Sequence, residues 1–232
     1  MGESRSTIGL PEERKSDPIA IVGLACKFPG ASSVEEYWRI LDRGVSMVSE
    51  LPPDRFPNKD HWRSTNKSIF FGNFLDGVEN FDHRFFKKTC REAASMDPGQ
   101  RLLLEVSYQA LESSGDFGMR SIDKDLNVGY FFGVCVSDYT ENVASHPPNA
   151  FSALGTLRAL LTGRTSHFFV FTGESIRFDT ACSSSTIAID AAGKAISYDD
   201  CTSAIAGGVL TTSFLSDGLC NRVKGHEDDD SF

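Results

Sequence analysis

One short stretch of this chain joins a nucleophile to a place where it can act: Asp179-Thr180-Ala181-Cys182-Ser183-Ser184-Ser185. Before it, Ser175-Ile176-Arg177-Phe178 alternates polar and apolar residues in the manner of a strand. After it, Ile187, Ala188, Ala191, Ala192, Ala195 and Ile196 recur at helical spacing between Ser183 and Ser197. Cys182 is therefore expected at a strand-to-helix turn. There the unpaired N–H groups and the positive end of the helix dipole favour a thiolate over a thiol. The same N–H groups can hold the oxyanion that forms when a thioester is attacked. Acyl transfer through Cys182 is the chemistry these residues suggest. The competing reading is an inert, buried small side chain, since free cysteine is among the most buried residue types. Whether the sulfur is reachable separates the two.

No other constellation competes. The six cysteines, Cys26, Cys90, Cys135, Cys182, Cys201 and Cys220, form no Cys-x-x-Cys pair and have no histidine at metal-ligand spacing. Neither a zinc site nor a disulfide framework is suggested. The five histidines, His61, His83, His146, His167 and His226, are isolated and read as surface or structural residues. A net charge of −9 argues against a nucleic-acid binder, which needs clustered Lys and Arg. The opening Met1-Gly2-Glu3-Ser4-Arg5-Ser6 lacks an apolar core, and no run reaches membrane-spanning length, so the expectation is a cytosolic chain without a membrane partner. Met1-Gly2-x-x-x-Ser6 matches the permissive myristoylation pattern, but no polybasic second anchor follows.

The elements that must position Cys182 can be read in order. Residues 1–16 are polar and aperiodic and are expected to be a flexible leader. Ile19-Ala20-Ile21-Val22-Gly23-Leu24 is a continuous apolar run, which predicts a strand buried on both faces. Ser33-Val34-Glu35-Glu36 fits a capping box for a helix with Val34, Tyr37, Trp38 and Leu41 on one face and Gly44 at its end. Residues 47–80 are loop-rich, with Pro52, Pro53 and Pro57, and Phe56, Trp62, Phe70, Phe71 and Phe74 suggest a packed insert. A helix is expected from Pro98, capped by Asp97 with Gln100 closing the box, and stopped at Gly115. Val128 to Val134 predicts a second buried strand, with Ser137-Asp138-Tyr139 past its end. Leu154, Leu157, Leu160 and Leu161 suggest one helix ending at Gly163, and Ser203 to Val209 a tight strand of small residues.

Asp179-Thr180-Ala181-Cys182-Ser183-Ser184-Ser185 resembles the active-site signature of β-ketoacyl synthases, the ketosynthase domains of polyketide and fatty-acid synthases. Met96-Asp97-Pro98-Gly99-Gln100-Arg101, Asn73-Phe74-Leu75-Asp76, Phe81-Asp82, Phe85-Phe86 and Ala206-Gly207-Gly208-Val209 resemble other family segments. His146-Pro147-Pro148-Asn149-Ala150 and the leucine-rich helix after it are most similar to fungal-type iterative polyketide synthases. The resemblance implies an α/β, thiolase-like layered αβα half-fold over residues 17–210, the N-terminal half of the duplicated ketosynthase unit. It implies that Cys182 takes an acyl chain from the phosphopantetheine thioester of an acyl carrier protein before decarboxylative Claisen condensation with a malonyl thioester. It further implies a homodimer and no metal or redox cofactor. Glu174 departs from the family's usual Gly-Pro-Ser, and a carboxylate beside a thiolate would oppose its ionisation. None of the five histidines stands in the His-Gly-Thr-Gly-Thr or Lys-x-Asn-x-Gly-His context that supplies the family's catalytic imidazoles. Residues 211–232 diverge and read as a disordered tail, as in a truncated or mis-spliced product, so the chain alone is expected not to condense. The alternatives are an inactive remnant that pairs with a partner, or a thiolase-like acyltransferase or hydrolase using Cys182 alone.

Overall fold

Val128 to Gly133, six residues without a charge, form the strand around which the rest is layered. All six are buried. The computed structural model describes residues 18–52, 71–115, 127–135, 139 and 149–210. In chain order the elements are α1 (Val34–Asp42), β1 (Val48–Glu50), β2 (Phe71–Asn73), α2 (Cys90–Ser95), α3 (Pro98–Ser113), β3 (Val128–Gly133), α4 (Ser152–Thr156), α5 (Leu160–Phe169), β4 (Ser175–Phe178), a 3-10 turn (Ala181–Ser183), α6 (Ser184–Ser197) and β5 (Ser203–Gly208). β3 is the middle of a parallel three-stranded sheet in the order β4-β3-β5, with Tyr130 opposite both Ser175 and Ile205. β1 and β2 form a separate antiparallel pair.

Alternation along β3 decides the layers, because successive side chains leave opposite faces of a strand. Val128, Tyr130 and Phe132, with Val134 just past the end, pack against Leu103 and Leu111 of α3, Leu161 of α5 and Phe171. Phe131 points the other way, into Ala188, Ala192 and Ala195 of α6 and Cys201. The expected αβα layering is observed. The Tyr130 hydroxyl, wholly buried, is hydrogen-bonded to Ser107 Oγ at 2.9 Å. Burial pushes its ionisation far above the ordinary range, so it serves as a neutral bridge between sheet and α3.

α3 begins as its sequence predicts: Asp97 Oδ1 accepts from Gly99 N at 2.7 Å and Pro98 occupies the first turn. Gln100 does not close the box. Its Nε2 donates to the Gly155 carbonyl at 3.0 Å, because α4 lies directly on this turn and brings a backbone acceptor within reach, one that Asp97 N also donates to at 3.0 Å. A Cβ on Gly155 would fall within the Ser95 carbonyl. Beside this junction the Arg164 guanidinium of α5 pairs with Glu92, which Lys88 also approaches at 3.5 Å. A second core cluster of Phe81, Phe86, Ala93, Met96 and Leu104 closes this end.

Three further expectations differ from the structure. Ile19 to Leu24 form no strand; they run as extended coil from Ile19, against α6 at Gly193, to α3, where Leu24 N donates to Ser113 Oγ at 3.4 Å. Among the described residues no neighbouring strand hydrogen-bonds to the run, and Ile21 and Val22 are 80% and 71% exposed. The four leucines belong to two helices rather than one, since Leu157 leaves helical backbone between α4 and α5. Gly163 lies within α5, whose end is set instead by Val170 in the left-handed region. α1 does end before Gly44, and Ser33 Oγ accepts from Glu36 N while Glu36 reaches back to Ser32 N. Its apolar face is largely unpacked, with Trp38 and Leu41 exposed. Of the 47–80 aromatics, Phe71 is exposed and Phe74 lies beside Gly72; Phe56, Trp62 and Phe70 lie outside the described residues, as do residues 1–16 and 211–232. No helix among the described residues is long and apolar enough to cross a membrane.

The uncovered run has a measurable consequence, because contiguous apolar surface marks an interaction or aggregation site. The chain is expected to bind an anilinonaphthalene dye in its native state or to self-associate, and the paired change Ile21→Ser with Val22→Ser is expected to reduce both. A dye-silent, monomeric chain with one sharp unfolding transition would rule this out.

Just past this run, Lys27 Nζ and Glu105 Oε2 of α3 lie 3.6 Å apart. Burial raises the Glu105 carboxyl above its ordinary 4.5, partly offset by Lys27. A carboxyl raised by folding contributes stability that is complete below 4.5 and is lost as pH climbs through its folded value. Glu105→Gln is therefore expected to gain urea midpoint relative to the parent as pH rises above 4.5.

Candidate active site

β4 ends at Phe178, and within six residues the chain has reversed into α6. So abrupt a turn frees backbone groups, and the hydroxyls of the signature take them up. Thr180 N donates to Ser184 Oγ at 2.8 Å, and Ser184 Oγ donates onward to the Ala181 carbonyl at 2.7 Å. Ser183 Oγ donates to the Thr180 carbonyl at 2.7 Å. Ala181 has φ 56°, a left-handed conformation that a residue with a Cβ adopts only under constraint. Ser184 is buried beneath the turn while Cys182 is exposed on top of it. The sulfur is reachable, which the inert reading did not require.

Two glycines let this turn sit on the sheet. A Cβ at Gly133, the last residue of β3, would fall inside the shells of the Ser184 and Ser185 backbone, and one at Gly208 would lie 2.8 Å from Ser185 Cβ. The first turn of α6 thus rests on bare backbone at the ends of β3 and β5. Cys182 stands over the carboxyl ends of parallel strands, where open α/β sheets tend to bind ligands.

The other candidates lie elsewhere. Glu174 is at the opposite end of the sheet: its carbonyl accepts from Tyr130 N at 2.7 Å, and its charge acts on Cys201, before β5. The Cys201 thiol is pushed up mainly by burial, opposed by a hydrogen bond from Gly129. Burial, then Glu35 and Glu36, likewise push up the Cys26 thiol. His83 Nδ1 is bonded to the Lys88 carbonyl at 2.9 Å, and His167 lies in the last turn of α5. His61, His146 and His226, with Ser137 and Asp138, lie outside the described residues. Tyr139 is buried, with its hydroxyl donating to the Ala94 carbonyl at 3.0 Å, and so is tied to α2. An apolar recess of about 330 Å³ opens between Phe28, Pro29, Tyr37, Ile40, Val45 and Met47, but no elbow residue lines it.

Arg177 was legible in the sequence only as a polar strand residue. Its Nη2 donates to the Val134 carbonyl at 2.8 Å and to Asp179 Oδ2 at 3.1 Å, beside the turn. The elbow therefore has a cationic brace that alternation alone does not reveal.

A family profile described as the N-terminal domain of beta-ketoacyl synthase matches residues 16–219. A non-reducing polyketide synthase of Emericella nidulans, pkbA, is 56% identical over 195 residues, covering 84% of this chain and 8% of the relative. The 5-methylorsellinic acid synthase of Aspergillus terreus is 52% identical over 212 residues, 90% of this chain and 8% of its own. Among solved structures, the oxazolomycin ketosynthase domain OzmH KS7 of Streptomyces albus superposes with a TM-score of 0.69 at 31% identity, covering 83% of this chain and 34% of that one. The ketosynthase from module 6 of the bacillaene synthase of Bacillus subtilis gives 0.65 at 28% identity, with 84% and 31% covered. The chain thus spans about 8% of the length of these curated relatives, and its αβα layers are those of a thiolase-like half-fold.

Proposed function

The chain belongs to the β-ketoacyl synthase family through its N-terminal domain, and from that premise we propose that Cys182 is the acyl-accepting nucleophile of a polyketide-synthase ketosynthase. The observation that carries the reading is an exposed sulfur on a hydroxyl-braced strand-to-helix elbow, within the family's signature. The Cys182 thiolate attacks the carbonyl carbon of an acyl thioester. The oxyanion of the tetrahedral intermediate is held by backbone N–H groups of the turn, and its collapse breaks the carrier C–S bond, expelling the carrier thiolate, which takes a proton from solvent, and leaves the acyl group on the Cys182 sulfur. The acyl donor is the phosphopantetheine thioester of an acyl carrier protein; the exposed apolar run of Ile19 to Leu24 supports packing of further protein, such as a second copy, on this face.

Carbon–carbon bond formation needs an imidazole to assist loss of carbon dioxide from a malonyl thioester. His83 bonds the Lys88 carbonyl and His167 closes α5, and none of the five histidines stands in the family's catalytic pattern. The acyl-enzyme is therefore the end point for this chain by itself, formed in the cytosol without a metal. Mass spectrometry of the chain after incubation with an acyl thioester, with and without a malonyl thioester, tests both halves of the reading.

A further inference from the structure

We propose that Arg177 is a positioning residue for Cys182, standing in for the backbone rung that β4 gives up when it turns into the elbow. The proposal rests on the reading of Cys182 as the acyl acceptor. In a parallel pair, alternate residues of one strand bond on both sides to the other. Tyr130 N donates to the Glu174 carbonyl, and four residues on Val134 N donates to the Phe178 carbonyl at 2.9 Å. The donor that should next meet the Val134 carbonyl is Thr180 N–H. That group has been turned away to Ser184 Oγ, because the elbow requires it there. An acceptor at the sheet's edge, beside the nucleophile, is thus left without its ladder partner.

The Arg177 side chain replaces it. Nη2 reaches the Val134 carbonyl at 2.8 Å and at the same time holds Asp179 Oδ2 at 3.1 Å. The guanidinium therefore links the backbone carbonyl at the exit of β3 to the side-chain carboxylate of the first residue of the signature. It is mostly buried, whereas Asp179 is 41% exposed, so the brace lies on the sheet side of the turn. Without it, nothing on β4 fixes the spacing between Val134 and Asp179 beyond the last rung, and the N–H groups flanking Cys182 lose their register with the sulfur. Acyl transfer needs that register; simple alkylation needs only a reachable sulfur.

The test uses the full chain with S-acetyl-N-acetylcysteamine as the thioester probe and iodoacetamide as the alkylating one, both read by peptide mass spectrometry. Arg177→Met keeps most of the stem and removes the donors. It is expected to slow acetyl transfer to Cys182 about tenfold, the scale of one hydrogen bond from a charged group. Iodoacetamide labelling of Cys182 should change less than about threefold, since it uses no oxyanion cradle. Cys201, buried behind β3, should stay unlabelled, and Arg177→Lys, which can reach one acceptor, should recover part of the loss. Acetyl transfer at the parent rate in Arg177→Met overturns the proposal. So does a loss accompanied by labelling of Cys201 and not rescued by lysine, which would mean general loosening. If the parent chain takes no acetyl group, the reading of Cys182 fails on its own account. Amide exchange across residues 178–185 then decides on Arg177: faster exchange in Arg177→Met supports the brace, and unchanged exchange refutes it.

Discussion

Offered an acetyl thioester, the chain is expected to gain a single acetyl group on Cys182, and Cys182→Ala to gain none. The size of this effect follows from the chemistry, since an alanine at 182 has no sulfur to take the acyl group. Cys90 is the control that gives the result meaning, because it too is exposed and also lies at the start of a helix, α2. What Cys90 lacks is the braced elbow. Acylation of both sulfurs at equal rates would reduce Cys182 to an accessible thiol and favour an inactive remnant. Selective acylation followed by rapid release to water would favour a hydrolase. A stable acyl-enzyme that yields no condensation product with malonyl thioester is the outcome that fits the proposed half-reaction, and condensation product from the purified chain would overturn its second part.

The elbow, α3 and the three sheet strands were legible because local pattern and tertiary role agree there. Ser175 to Phe178 alternates and is half-covered; Val128 to Gly133 does not alternate and is covered on both faces. Ile19 to Leu24 carries the same pattern as β3 yet ends as coil. A continuous apolar run states that two-sided cover is needed and says nothing of what supplies it. Gly163 read as a helix end because glycine often is one, but a helix also tolerates it at modest cost, and the actual terminus is the left-handed Val170, which no side-chain rule anticipates. Gln100 shows the same limit. Its spacing fits a capping box, and only the approach of α4 decides that its amide serves Gly155 instead. The brace from Arg177 depends on which backbone donor the elbow removes, and that is a property of the folded turn.

Gly133 offers the largest stability effect tied to the site. Its backbone is not in the left-handed region, so the demand for glycine comes from space alone. A Cβ there would collide with the Ser184 and Ser185 backbone, which cannot swing aside as a flexible side chain could. Gly133→Ala must either part α6 from β3 or push the elbow outward. Overpacking of this kind costs about 3 kcal/mol, and a displacement of about 1 Å at the nucleophile can reduce acyl transfer about a hundredfold. Gly163→Ala is the matched comparison, because nothing lies within 4 Å of its Cβ position in α5. That change is expected to stabilise the chain by about 0.5–1 kcal/mol through helix propensity and leave acylation intact. If the first turn of α6 rests on the bare end of β3, the urea midpoints of the two variants therefore move in opposite senses and Gly133→Ala alone loses acetyl-transfer rate. Equal behaviour would mean that the elbow is held by its hydroxyls alone and that the sheet beneath it does not set where the sulfur stands.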